Sequence, residues 1–322
     1  MLIASLADID DPDFNALYGL AVAEWRELEI QLEEGLPIQW GGVVHWVRPG
    51  GAASAFTATY ERLRSWGVRT ESLAADDVGH LVPAAIPGPV GAGNFLPNHG
   101  ALDIQKTFDI LLRRAKALGV YFKTSFEVTA VRKEASGKVI LAAKGDRLLE
   151  ADKVVISAGA GTSGLAKTIG THIPVDLVSG TLAYSKPMPL VLHRVLNGPL
   201  GSIRQNPDGR VVTGLDYAPG ADGKDVSEAY GRVLLKRAAE VVPALSGMEL
   251  DEMRVGYVPI PEDTRPVVGF CDTDKTIYVA VMMSGITMAA LMGRLAATEV
   301  LGQPLALLEP YRPDRFSPRA AL

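Results

Sequence analysis

The sequence predicts an α/β domain that is interrupted by an α+β domain. Three observations support this fold class. The chain has 322 residues, which is enough for roughly two domains. Strand and helix patterns alternate in the first half and again at the end, and a second group of strands lies between them. The composition is ordinary for a globular protein, with 48% hydrophobic and 21% charged residues.

The first third of the chain is predicted to be mainly helical. Asp11 and Pro12 open a helix, because Asp caps helix N-termini and Pro is tolerated at the first helical position. Apolar residues then recur at helical spacing up to Leu32, and Gly35 ends the run. A strand is expected over 38–47, and two further helices are expected over 52–66 and 103–118.

From residue 120 onwards the pattern changes to short strands. Residues 128–131 and 139–142 flank Ser136 and Gly137, which predicts a hairpin. Val154–Ile156 is a short, continuous apolar run of the buried parallel type. More strands are expected over 174–184, 190–196 and 210–215, a helix over 225–242, and a last strand over 277–281 before a helix over 286–301.

Charge and composition exclude several classes of function. The net charge is −5 without a long basic run, so nucleic acid and anionic membranes are not expected as partners. Cys271 is the only cysteine, and no Cys/His cluster has metal-ligand spacing, so neither a disulfide nor a metal is expected. Residues 277–292 are the most apolar stretch but are too short for a membrane span. The protein is therefore expected to be soluble and cytoplasmic.

A glycine-rich segment at 159–164 matches the dinucleotide fingerprint G-x-G-x-x-G. It follows a strand and precedes a helix, and Asp176 lies near the distance expected for a ribose-binding acid. One interpretation is therefore an NAD site. However, residues 172–177 supply no clean second strand for a βαβ unit, so a second interpretation stays open.

Five blocks together carry a family resemblance. They are residues 152–160, 100–131, 256–269, 278–287 and 310–316. In their order and spacing they resemble FAD-dependent oxidoreductases of the D-amino acid oxidase, glycine oxidase and sarcosine oxidase family. The resemblance implies an FAD/NAD(P)-binding-type domain with an inserted antiparallel-sheet substrate domain. The flavin domain would comprise 1–35, 100–172 and 256–322, and the substrate domain 36–99 and 173–255.

The resemblance also implies FAD as the cofactor and suggests where it binds. In relatives the residue matching Val128 touches the adenine through its backbone, and the chain matching 152–160 passes beneath the cofactor. Amides at the start of the last helix would point a positive dipole end at the flavin ring. The implied cofactor contacts are Met1, Val128, Ala158, Gly159, Val281, Met282, Ser284, Gly285, Ile286 and Thr287.

Family members oxidise an amine by hydride transfer from its α-carbon to flavin N5, which gives an imine without a protein nucleophile. No catalytic side chain is therefore assigned. Val258 stands where amino-acid-specific members have a carboxylate-binding arginine. Ser202 stands where glycine-oxidase-like members have a tyrosine. Met283 occupies a second position that relatives use near the flavin. Arg204 or Arg265 would have to replace the lost charge, unless each is simply a surface arginine.

Several further points stay open from the sequence. His45 could point into the substrate cavity or be structural. The electron acceptor is either oxygen or a quinone-linked chain, and a homo-oligomer is possible. A non-catalytic remnant or subunit with the same fold is a rival to the enzyme.

Relatives begin with a strand, a G-x-G-x-x-G turn, a helix and a second strand, roughly 30 residues or more that hold the pyrophosphate. This chain lacks that unit, and Met1 resembles the loop that follows it. We therefore expect an upstream extension, and we expect the 322-residue form to bind FAD poorly. We also expect it to expose the strand at 154–158 where a neighbour should pair.

Overall fold

The computed structural model describes residues 11–214 and 223–317. The chain divides into two compact units, each built from two stretches of sequence. Unit 1 contains Met1–Arg113 and Val178–Gly256, and unit 2 contains Arg114–Leu177 and Tyr257–Leu322. These units are defined by compactness, whereas the flavin and substrate domains expected above are defined by ligand contact, and that functional division stays a prediction.

The helices are α1 (Pro12–Gln31), α2 (Gly51–Ser65), α3 (Ala75–Leu81), α4 (Ile104–Ala117), α5 (Thr162–Lys167), α6 (Glu228–Val241) and α7 (Gly285–Val300). The strands are β1 (Ile38–Gln39), β2 (Val43–Val47), β3 (Glu71–Leu73), β4 (Ala92–Leu96), β5 (Ala101–Leu102), β6 (Val128–Lys133), β7 (Val139–Ala143), β8 (Arg147–Ala151), β9 (Val154–Ile156), β10 (Val175–Ser185), β11 (Val195–Gly198), β12 (Gly201–Gln205), β13 (Val211–Gly214), β14 (Leu250–Pro261), β15 (Val267–Phe270) and β16 (Ile277–Val281).

Unit 1 is built on an eight-stranded sheet with the order β14-β10-β13-β12-β11-β2-β4-β3. β11 and β2 run parallel, while β12 pairs antiparallel with both β11 and β13. One face packs against α3 and α6 in a core that includes Trp46, Leu196 and Ile203. Part of the other face is covered by α2 through Tyr60 and Leu63.

Unit 2 holds two three-stranded sheets, β15-β16-β9 and β6-β7-β8. β16 runs parallel to β9 and antiparallel to β15. Val131, Ile156, Ala166 and Val279 share one core, so α5 and strands from both sheets pack together. The α/β and antiparallel components that the sequence predicts are both present.

Most predicted elements are confirmed. Asp11 caps α1 through a 3.0 Å bond from the Phe14 amide to its carboxylate, and the hairpin of β6 and β7 has the expected turn. The expected strand over 38–47 is instead broken into two. Gly42 has φ +80°, and a Cβ at Gly41 would lie 1.6 Å from the His193 carbonyl oxygen, so the chain turns there. The strand expected over 190–196 begins only at Val195. The sequence did not predict α3 or the strands β3, β4, β5, β12, β14 and β15.

Two elements with apolar sequence patterns, β9 and α4, are less buried than the sequence predicts. β9 is parallel as predicted, but it lies at the end of its sheet and Val155 is 45% exposed. In α4 only Thr107 is buried, although Phe108 belongs to the apolar face of the helix and is 60% exposed. An apolar pattern identifies which face needs a partner, but it does not identify the partner. Within the described ranges, no helix is both long and apolar enough to cross a membrane.

Candidate functional site

The carboxyl ends of β9 and β16 form the first candidate site, in unit 2. The two strands are parallel, with Val154 opposite Ile277 and Ile156 opposite Val279. Parallel neighbours end at the same edge of a sheet, and ligands of α/β proteins bind outside that edge. The loop after β9 and the loop after β16 are therefore neighbours, and they contain most of the expected cofactor contacts.

The loop between β16 and α7 opens a helix of 16 residues. Val281 and Met282 are buried, Met283 and Ser284 are partly exposed, and Gly285 is exposed. Ser284 adopts the left-handed conformation, with φ +56°, which turns the chain from strand into helix.

At the start of α7 the position of Gly285 faces open space. A Cβ at Gly285 would meet no atom within 4 Å. Within the described part of the chain, no side chain caps this N-terminus and its first turn carries no acidic residue. The amide end of α7 therefore presents a partial positive charge that can stabilise an anionic group.

The loop after β9 is also open. Ala158 is exposed, Gly159 has φ +53°, and a Cβ at Gly159 or Gly164 would meet nothing within 4 Å. α5 is only six residues long, and the next strand, β10, belongs to the eight-stranded sheet rather than lying beside β9. This segment therefore does not form the βαβ unit that a dinucleotide fingerprint requires, and the NAD interpretation of 159–164 is wrong on this ground.

The other expected unit 2 contacts are placed as follows. Val128 begins β6, is partly buried and packs against the unit 2 core. The Thr168 hydroxyl accepts a 2.9 Å bond from the Val131 amide, which ties the end of α5 to β6. Val258 lies partly buried on β14. Met1 lies outside the described residues.

Ser202 and Arg204 lie in unit 1, both on β12. Their neighbour Ile203 belongs to the core beneath α3 and α6, so both side chains project from the opposite face of the sheet. Ser202 is partly exposed, and Arg204 is only 8% exposed. Arg204 is therefore not a surface arginine, which corrects one of the two sequence interpretations. Arg265 is partly buried in unit 2, beside Asp263.

His45 has a more specific setting than its sequence indicated. Its Nδ1 forms a 2.7 Å hydrogen bond with the Tyr60 hydroxyl, and its ring packs edge-on against Phe56 at 4.8 Å. Burial lowers the pKa of His45 to about 4, so the ring is neutral at neutral pH. Strand periodicity placed His45 on a sheet face, but only the fold could bring α2 over it.

The end of α7 is anchored by a buried carboxylate. Glu299 is 4% exposed and accepts bonds from Arg312 at 2.7 and 2.6 Å, from the Tyr278 hydroxyl at 2.8 Å and from the Leu305 amide at 3.0 Å. Burial alone would raise the pKa of Glu299, but these hydrogen bonds outweigh burial and lower it. The network fixes the C-terminal tail and holds α7 on β16.

Unit 2 offers no evident acid–base or metal chemistry. Burial raises the pKa of the Cys271 thiol to about 11, with a further contribution from the charge of Asp272, so this thiol stays protonated. Across residues 11–214 and 223–317, no group of three or more His, Cys, Asp or Glu side chains is placed to hold a metal ion.

Comparison with known proteins identifies the family of this chain. The family model for FAD dependent oxidoreductases (DAO) matches residues 1–299. The chain is 27% identical to glycine oxidase of Bacillus licheniformis over 250 residues, which is 76% of this chain and 67% of that protein. It is 26% identical to the bifunctional protein ThiO/ThiG of Synechocystis over 227 residues, 68% of this chain and 34% of that protein.

The fold agrees with the sequence match. The crystal structure of glycine oxidase from Geobacillus kaustophilus superposes with a TM-score of 0.85 at 22% identity, covering 98% of this chain and 85% of that one. The chain therefore belongs to the DAO family of FAD-dependent oxidoreductases. It spans about two thirds of the length of the Bacillus licheniformis relative and one third of the bifunctional one.

The described residues fit the cofactor of this family. Two loops meet at one sheet edge, the positions of Gly159 and Gly285 are open, and the helix that begins beside them has no side-chain cap among the described residues. A flat, electron-accepting ring needs close approach of backbone, which glycine permits, and a positive dipole where negative charge develops. No side chain within the described residues fills the space at either glycine.

Proposed function

We propose that this protein oxidises a small primary or secondary amine to an imine. The FAD, when bound, would accept the hydride from the α-carbon of the amine at flavin N5. The observation that carries this proposal is the shared edge of β9 and β16, where two open loops and the start of α7 lie side by side. Family membership supports it.

The residues of unit 2 are proposed to hold and polarise the cofactor. Ala158 and Gly159 would line it after β9, and residues 281–287 would line it after β16. The amides that open α7 would stabilise negative charge, which favours the reduced form. Val128 is proposed to contact the adenine through its backbone.

The substrate is proposed to differ from a simple α-amino acid held as in glycine oxidase. Val258 cannot make the bidentate carboxylate contact that a guanidinium makes, and Ser202 lacks the reach of a tyrosine. Arg204 is the charged alternative on the substrate side, and Met283 is proposed to lie near the flavin. We therefore expect amines without a free carboxylate to be better substrates than glycine or D-alanine.

The test combines flavin content with anaerobic reduction. We would load the purified protein with FAD, record its visible spectrum, and follow flavin bleaching with a panel of amines. Bleaching by N-alkyl amines, with little by glycine, is the expected result. Oxygen uptake compared with reduction of a quinone analogue would identify the electron acceptor. Poor flavin uptake by the 322-residue form would match the expectation from its sequence, whereas bound flavin that no amine bleaches would favour the non-catalytic rival.

A pair of glycine variants tests the proposed cofactor loop. Gly285→Val places a branched side chain in the open space before α7, while Gly293→Val places the same side chain at an exposed position of the same helix. We expect the first variant to lose at least about tenfold in FAD affinity and the second to keep it, since a clash costing about 1.4 kcal/mol is a factor of ten. Equal FAD affinities in the two variants would mean that the 281–287 loop does not contact the cofactor.

A further inference from the structure

One face of the eight-stranded sheet carries a row of polar residues at matching register positions. Asn94 on β4 lies opposite His45 on β2, Asn197 on β11 is the partner of His45, and Ser202 on β12 is the partner of Asn197. Residues that face each other on neighbouring strands project from the same side of a sheet. These four residues therefore form one continuous line, which we call the polar strip.

The polar strip lies on the face away from the core of unit 1. The alternating neighbours Val44, Leu196 and Ile203 all belong to the core beneath α3 and α6. On the strip side, α2 packs over Val43 and Val195. His45, Asn197 and Ser202 remain partly exposed, so a small molecule can reach three adjoining strands there.

The two ends of the strip are different. Asn94 is buried, and its side-chain oxygen accepts a 3.0 Å bond from the Thr70 hydroxyl, so this end is closed. At the other end Gly214 lies opposite Ser202. A Cβ at Gly214 would lie 2.5 Å from the Thr181 carbonyl oxygen, so a larger residue does not fit there.

His45 is held in one orientation by its neighbours. Tyr60 is 2% exposed, and its hydroxyl bonds to the His45 Nδ1 at 2.7 Å. Within the described residues the other ring nitrogen, Nε2, has no hydrogen bond. Phe56 and Tyr60 pack on the ring from α2 and prevent it from turning away. The fixed ring leaves Nε2 as a hydrogen-bonding group beside Asn197.

Building on the proposed function, we propose that the polar strip positions the substrate and selects amines whose second polar group is uncharged, such as an amide or a hydroxyl. His45, Asn197 and Ser202 can each donate or accept a hydrogen bond, and none of them carries a charge there. The strip residues themselves offer a carboxylate no cation, so a carboxylate bound to them would lose hydration at a cost. His45 acts as a positioning residue and takes no part in bond breaking.

Arg204 does not change this selection. It lies on the same face, one row away, opposite Val212 and buried to 8% exposure. It already takes part in another interaction within the protein. A substrate carboxylate that reached Arg204 would therefore have to compete with this existing interaction.

The test compares glycinamide with glycine, in which an amide replaces the carboxylate, and KM is expressed per neutral amine because the amine of glycinamide is also the weaker base. In the FAD-loaded protein we expect a lower KM for glycinamide. His45→Phe should raise that KM about tenfold, the effect of losing one hydrogen bond to a neutral group, with kcat within about threefold and flavin content unchanged. Tyr60→Phe should raise it by about three- to fivefold. His45→Gln, which keeps a neutral hydrogen-bonding group, should restore the KM to within about threefold of the wild type.

The matched control is His193→Phe, the same change at an exposed histidine of unit 1 outside the strip, which should leave the KM unchanged. An unchanged KM in His45→Phe, or a preference of the wild type for glycine, would overturn the proposal. If no amine bleaches the flavin, the proposed function fails, but the strip is still tested by the rise in unfolding temperature that glycinamide causes. A rise that His45→Phe abolishes supports the strip, and no rise in the wild type, or an equal rise in both, overturns it.

Discussion

The sheets of the two units end in different ways. In unit 1 the outer strands carry charges, Glu71 on the short β3 and Asp251 and Arg254 on β14. Charged and short edge strands protect a sheet from pairing with another chain. In unit 2 the outer strand β9 consists of three apolar residues, Val154–Ile156, and Val155 is 45% exposed.

The difference shows which outer strands have a sequence that suits exposure to solvent. The other outer strand of the unit 2 sheet, β15, is covered by the tail, where Arg312 and Pro313 lie 3.0 Å from a Cβ built on Gly269. Among the described residues β9 is the outer strand of its sheet, although its composition is that of an interior strand. By this criterion the outer strands of unit 1 suit solvent, whereas the described part of unit 2 has an apolar outer strand for pairing or for ligand contact.

Acid should weaken unit 1 before unit 2, and this is the largest effect we expect. Burial lowers the pKa of His45 and of His99 to about 4, and the charge of Arg26 adds to the effect at His99. The unfolded chain takes up these protons near pH 6.5 while the folded chain does not. The stabilisation is therefore complete above about pH 6.5 and is lost as the pH falls towards 4, by about 3 kcal/mol for each histidine.

Unit 2 depends on carboxylates instead. Hydrogen bonds outweigh burial and lower the pKa of both Glu299 and Asp272, so their stabilisation persists until the pH falls below about 4. Hydrogen exchange resolved by segment, corrected for the intrinsic pH dependence, would compare the units at pH 7 and about 4.5. Parallel weakening of both units would contradict the prediction, and His99→Gln should make unit 1 less sensitive to acid.

The sequence predicted element types better than partners. The caps and apolar spacing of α1 and the hairpin at Gly137 are local features, and the structure confirms them. The break at Gly41 depends on the His193 carbonyl, a contact between residues far apart in sequence, so no local pattern contains it. The same holds for the polar strip, since register between distant strands brings His45 beside Asn197.

Glu299→Ala should destabilise unit 2 by about 3–5 kcal/mol, because it leaves the Arg312 guanidinium and the Tyr278 hydroxyl without their buried partner. Glu309→Ala removes an exposed partner of the same arginine, with a side chain that is 64% exposed, and should cost less than about 1 kcal/mol. Urea unfolding followed by hydrogen exchange in α7 and β16 measures both. Similar losses of unfolding free energy in the two variants would mean that burial of Glu299 does not determine how much it stabilises unit 2.

Gly41→Ala should destabilise unit 1 by about 3 kcal/mol, because the new Cβ must displace the His193 carbonyl. Gly51→Ala is the control, since a Cβ there meets nothing within 4 Å and the position opens a helix. Its effect should lie within about 1 kcal/mol of zero. If both variants unfold at the same urea concentration, the turn between β1 and β2 is more adaptable than its geometry indicates.

The smallest effect tests the open edge directly. Val155→Thr should change the free energy of unfolding of unit 2 by less than about 0.5 kcal/mol, because the side chain is already in solvent. Val279→Thr makes the same change on the neighbouring strand β16, where the side chain is 0% exposed, and should cost about 2 kcal/mol. The pair holds the chemistry constant and varies only the burial. A loss of unfolding free energy at Val155 close to that at Val279 would show that β9 is covered in solution. The contrast between the charged outer strands of unit 1 and the exposed apolar strand of unit 2 would then fail.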